Sequence, residues 1–173
     1  MSEPFKEILV YLDGSEDSVT ASMAAIALAK RLQASLTAIY VVNTRALQDL
    51  VKARIFLDIE EQEYLRDIEE DAGRYLRHVE ELGRQKGIEV KTVKSSGSVN
   101  TEVRNYLEKH KIDLLVLGGI SAIHSRRDEL LSETDRMMRT APCPVLVVRD
   151  NDQIWEMFEA IPNIQVEVEN DTY

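Results

Sequence analysis

The stretch ILVYLDGS at residues 8–15 runs from uninterrupted apolar residues into a turn and then a helix start. Ile8 to Leu12 show no polar alternation, which marks a strand covered on both faces, as in the centre of a parallel sheet. Asp13 and Gly14 supply turn chemistry. Ser15 has the features of a helix N-cap, and Glu16 and Asp17 give the acidic first turn that a helix dipole favours. Apolar runs recur at 36–42, 88–93, 114–117 and 145–148, the one at 88–93 being weaker and more polar. The segments between them carry helical spacing. Residues 15–33 place Val19, Met23, Ile26, Ala27 and Leu28 on an apolar face. Residues 57–86 form a long charged helix with Ile59, Tyr64, Ile68, Tyr75, Leu76, Val79 and Leu82 as its stripe, stopped by Gly87. Ser98 or Asn100 caps a third helix with Val103, Tyr106 and Leu107 inward. A fourth, from about residue 130 to Arg139, is ended by Pro142. Residues 43–56 read either as a loop or as an early start of the second helix. Alternating strands and helices predict an α/β fold, an open five-stranded parallel sheet with right-handed crossovers and helices on both faces.

The chain has 173 residues, 44% of them apolar and 30% charged, which suits one globular domain with its own core. No stretch approaches the roughly 20 apolar residues of a membrane helix. The opening MSEPFKEILVYLDGS lacks the basic region and long apolar run of a signal peptide, so a cytoplasmic location is expected. Cys143, between Pro142 and Pro144, is the only cysteine; it reads as a small packed residue at the start of a strand. A net charge of −10 opposes nucleic-acid binding. Residues 1–149 form the expected domain. Residues 150–173 contain no Lys or Arg and read as an acidic C-terminal extension, with a short helix around Trp155, Met157, Phe158 and Ile161. Ile164, Val166 and Val168 then alternate with polar residues, a possible edge strand or a plain tail.

In open parallel sheets ligands bind beyond the carboxyl ends of the strands, near the switch point. Three segments converge there: Tyr11-Leu12-Asp13-Gly14-Ser15, Val41-Val42-Asn43, and Leu117-Gly118-Gly119-Ile120-Ser121. Residues 8–15 resemble the opening of the universal stress protein family. The run from Arg139 through Ala141-Pro142-Cys143-Pro144 to Val148 resembles its close, and Leu114 to Gly118 fits between. The resemblance spans roughly residues 5–149. It implies a Rossmann-like sheet of the adenine-nucleotide α-hydrolase type, and dimerisation through the last strand, here Val145 to Val148. It further implies a stress-response role, with ATP and Mg bound in some members and not in others. ATP-binding members carry Gly-x-x-Gly, nine residues, then Gly and Ser or Thr. Those positions fall on Gly118, Ser121, Leu131 and Ser132. Asp13 stands near the nucleotide in binders, Tyr11 stands where proline is common, and Val41 lies where adenine would rest. With Leu12, these form the candidate cofactor-binding set.

The departures have physical weight. Glycine admits backbone N–H groups close to phosphate and allows positive φ. A non-glycine residue in left-handed geometry costs about 1–2 kcal/mol. Leu131 crowds its position. Glu133 follows Ser132 at the helix start where phosphate would dock; a carboxylate about 6 Å away repels it by about 3 kcal/mol at an effective dielectric near 20. Together these weaken a micromolar site to roughly millimolar. Arg126, Arg127 and His124 offset part of this if their loop folds over the site. No catalytic set emerges. His78, His110 and His124 lack metal-ligand spacing, and Ser15 has no elbow motif. The expectation is a dimeric regulatory protein acting through other proteins, with a degenerate nucleotide pocket. The alternative is an ATP-binding switch or slow ATPase.

Overall fold

Strand β1 (Glu7–Leu12) lies at the centre of the sheet, with all but its first residue buried. The computed structural model describes residues 3–53, 58–119 and 132–164. The sheet has the order β3-β2-β1-β4-β5, with β2 Ser35–Val42, β3 Val90–Ser96, β4 Leu114–Gly118 and β5 Val145–Val148, and every neighbouring pair is parallel. Helices α1 (Glu16–Leu32), α2 (Thr44–Lys52), α3 (Asp58–Gln85), α4 (Val99–Lys109), α5 (Glu133–Thr140) and α6 (Asn151–Glu159) complete the described elements. The five strands, their direction and the helical layers are as the apolar runs imply.

Strand alternation sorts the core into two layers. Ile8, Val10, Leu12, Leu36, Ala38 and Val42 pack with α1 and α3 on one side. Leu9, Tyr11, Ile39, Val41, Leu115 and Leu117 pack with α4 and α5 on the other. Helix α1 begins where the sequence places it: the Ser15 hydroxyl accepts from the Ser18 N–H at 3.1 Å. Glu16 and Asp17 occupy its first turn, and Lys30 and Arg31 its last, each sign matching the dipole.

Residues 44–52 and both ends of β3 differ from the expectation, while the cap of α4 falls on Ser98, one of the two residues expected. Residues 44–52 form a separate helix, with the Leu47 N–H donating to the Asn43 carbonyl. β3 begins at Val90 rather than Ile88, because the Ile88 N–H donates back to Gly83 at 2.8 Å and closes the end of α3. It then continues to Ser96: among the described residues it is an edge strand paired with β2 alone, and polar Thr92, Lys94 and Ser95 are tolerated there. α5 starts at Glu133 because Ser132 caps it, accepting from the Asp135 N–H at 3.3 Å; the expected start at 130 lies outside the described residues. In α4 the cap position is Ser98, though its side chain makes no capping bond.

Beyond β5 the chain folds back as α6, as the apolar spacing around Trp155 suggests. Asp150 caps it, accepting from the Gln153 N–H at 3.1 Å. Phe158 enters the α1–α3 core layer at 2% exposure. Ile164 donates its N–H to the Gln85 carbonyl at 2.9 Å; the rest of the suggested edge strand lies outside the described residues.

Candidate functional site

Because all five strands are parallel, the turns after β1, β2 and β4 open at one rim. The β1 turn is rigid. Asp13 Oδ1 accepts from the Ser15 N–H at 2.8 Å and from the Ser15 hydroxyl, and the Asp13 N–H donates to Ser18 Oγ at 3.4 Å. Gly14 sits at φ +82°, and a Cβ there would lie 3.3 Å from the Tyr40 hydroxyl and 3.2 Å from the Tyr75 ring. These two rings stack, with centroids 6.3 Å apart, and cover the turn from the α3 side.

Gly118 closes the other half of the rim. A Cβ there would lie 2.7 Å from the Asp17 backbone and 2.9 Å from the Ser18 nitrogen. The end of β4 thus abuts the first turn of α1, and only glycine fits between them. The Gly119 N–H donates to the Val148 carbonyl at 2.9 Å, fastening the next residue to β5. A crevice of about 380 Å3 opens here, lined by Asp17, Gly119, Val148, Arg149 and the first residues of α6. Asn151 crosses it to donate to Asp17 Oδ1 at 2.9 Å.

On the α5 side Tyr11 is only 5% exposed and packs in the layer of Val41, Leu117 and Met137. Burial, and then the carboxylates of Asp13 and Glu133, push its phenol far above the usual tyrosine range. Both acids therefore face the end of β1. Tyr40 is raised for the same reasons, burial first and Asp13 second. Among the described residues the buried Glu133 Oε2 has no hydrogen-bond partner. Val41, opposite Ser95 in β3, is 4% exposed, so its side chain belongs to the core. Ser132 stands at the N-cap of α5, its hydroxyl already engaged.

Of the candidate set, Tyr11, Leu12, Asp13, Val41, Gly118 and Ser132 fall on the elements that end at this rim. Leu12 points into the α1–α3 layer and supplies only backbone. Ser121 and Leu131 lie outside the described residues, as do His124, Arg126 and Arg127. Tyr40, Tyr75, Asp17 and the start of α6 are contributors that sequence reasoning missed. They come from elements distant in the chain, and no local motif marks them. Among the described residues no group of three His, Cys, Asp or Glu side chains could hold a metal ion. His78 is exposed on α3, and His110 stacks on Tyr106 at 4.1 Å. Burial raises the Cys143 thiol above its usual range, which favours the packed, unreactive form.

An open parallel sheet with its switch point between β1 and β4, and loop-lined space at that point, defines an α/β protein with a nucleotide-binding-like fold. The sequence model of the Universal stress protein family matches residues 4–149, and the chain belongs to that family. It is 31% identical over 145 residues to universal stress protein MJ0531 of Methanocaldococcus jannaschii, covering 84% of this chain and 82% of the relative. Among solved structures it is similar to universal stress protein UspA from Lactobacillus plantarum, with 29% identity, a TM-score of 0.68, and 86% and 100% of the two chains covered. A family member from Arabidopsis thaliana, solved with AMP bound, shares the fold at 14% identity and a TM-score of 0.58, over 84% of this chain and 92% of its own. Among the described residues no helix is long and apolar enough to cross a membrane.

Proposed function

We propose that this universal stress protein is a regulatory binding protein that works as a homodimer paired through β5, with a degenerate adenine-nucleotide pocket. The observation that carries the reading is Glu133. A helix N-terminus attracts phosphate through its free N–H groups and dipole. At the start of α5 stands a carboxylate near Tyr11, one buried oxygen of which has no hydrogen-bond partner among the described residues. Asp13 adds a second negative charge on the same side of the rim. Val41, where adenine would rest, is packed into the core. The AMP bound to the Arabidopsis relative supports the fold's capacity for adenine nucleotides; the residues at this rim fit one poorly. The dimer is supported by β5, which among the described residues pairs with β4 alone and so offers its outer edge to a partner.

An ATP-dependent switch is the second reading, favoured by Asp13, Gly118 and Ser132 at one rim. Isothermal titration with ATP and Mg²⁺ separates the two. Wild-type protein should bind with a dissociation constant weaker than about 1 mM. Glu133→Gln removes the charge at the helix start and should tighten binding by about a hundredfold. A micromolar wild-type constant would establish the switch and remove the degenerate-pocket reading.

A further inference from the structure

Along the α1 side of β5 runs a groove of about 410 Å3 whose apolar lining includes Ala24, Leu28, Leu146, Val148, Ile154 and Met157. Its wall is the C-terminal extension, which begins one residue after the segment that matches the family. Helix α6 is firmly seated there. Ile154 and Phe158, four residues apart, face α1. Lys86, 3% exposed, holds the chain just past the helix: its ammonium donates to the Ile161 carbonyl at 2.7 Å and to Asn163 Oδ1 at 2.8 Å, and lies 4.7 Å from the Phe158 ring centroid. Two apolar side chains on the groove remain uncovered, Leu146 at 38% exposure and Met157 at 50%.

The charges are as telling as the apolar lining. In a chain of net charge −10, the charged residues of the groove among the described residues are Arg31 and Arg149. Helix α6 beside it has no Lys or Arg and carries Asp152, Glu156 and Glu159. A two-fold interface must be complementary to itself, because the same patch meets its own copy. This patch has an apolar centre, cations in the groove and anions on the adjoining helix, so one copy's α6 complements the other's groove. Ile164, the last described residue, is held at Gln85 and Gly87, beside β3 at the edge of the sheet opposite β5.

We propose that the groove between α1, β5 and α6 receives a second copy of this chain, so that the C-terminal extension shares the dimer interface with β5. The inference rests on the homodimer reading and adds the α6 contacts to it. The exchange of charges gives a test that a strand-only dimer would not pass. Arg31→Glu with Arg149→Glu, in one protein, sets acid against acid in its own homodimer. Glu156→Lys with Glu159→Lys, in another, sets base against base. Each homodimer should weaken by about tenfold or more in sedimentation. Mixed together, the two proteins should form a heterodimer within about twofold of wild-type affinity, since both grooves are then complementary. Met157→Glu should weaken the wild-type dimer by at least about tenfold. Unchanged amide exchange across 151–159 verifies that the helix stays docked in each variant. A wild-type dimer indifferent to all these changes would overturn the groove assignment and leave β5 pairing standing. A wild-type monomer at tens of micromolar would overturn both.

Discussion

Gly118→Val is expected to lower the thermal midpoint by about 6–12 °C, from a cost of about 3 kcal/mol in a domain of this size. The added Cβ would stand 2.7 Å from the Asp17 carbonyl group and 2.9 Å from the Ser18 nitrogen, a separation real side chains do not adopt. The obstacle is backbone, so it cannot rotate away as a flexible side chain could. Either β4 retreats, breaking its register with β1 at Ile8–Leu114 and beyond, or the first turn of α1 moves and loosens the cap at Ser15. Gly73→Ala on α3 is the control. Its Cβ would meet the end of the Arg77 side chain, which can move, and alanine favours the helix. A loss below about 2 °C for Gly118→Val would mean that β4 and α1 do not meet as described.

The second large effect falls on the extension. Lys86→Met keeps the length of the side chain but leaves the Ile161 carbonyl and Asn163 without their donor and removes the cation from Phe158. Losing these contacts should cost about 2 kcal/mol of local stability, or roughly thirtyfold faster amide exchange across 151–164. Exchange in β1 and β2 should change little, since those strands open only with the whole domain. Lys30, whose ammonium donates to the Lys86 carbonyl at 2.6 Å, stays in place and keeps the end of α3 capped. Unchanged exchange in 151–164 would show that Lys86 does not secure the extension.

These two residues also mark where sequence and structure part. Gly118 is legible: an apolar run ending in Gly-Gly is a strand leaving a sheet. The parallel order then dictates that its turn meets those after β1 and β2. The same holds for Asp13, whose place between a buried strand and an N-cap already defines its bonds to Ser15. Lys86 is not legible, because a lysine before a helix-ending glycine reads as a solvated residue. Its burial depends on Phe158, some seventy positions away, folding back across α1. Tyr40 and Tyr75 were hidden for a related reason. Each fits the apolar stripe of its own element, and only the packing of α3 against β2 brings the two rings over Gly14. Hydropathy does not locate the start of β3, because it cannot tell a residue that closes a helix, as Ile88 does, from one that begins a strand.

The account depends on negative charge occupying the place at the start of α5 where a nucleotide's phosphates would sit. Protein purified without added nucleotide, denatured and analysed for released adenine compounds, tests this most directly. The account expects less than about 0.1 equivalent per chain, as a millimolar site would empty during purification. Recovery near one equivalent would contradict it and make this chain a nucleotide-binding member of its family.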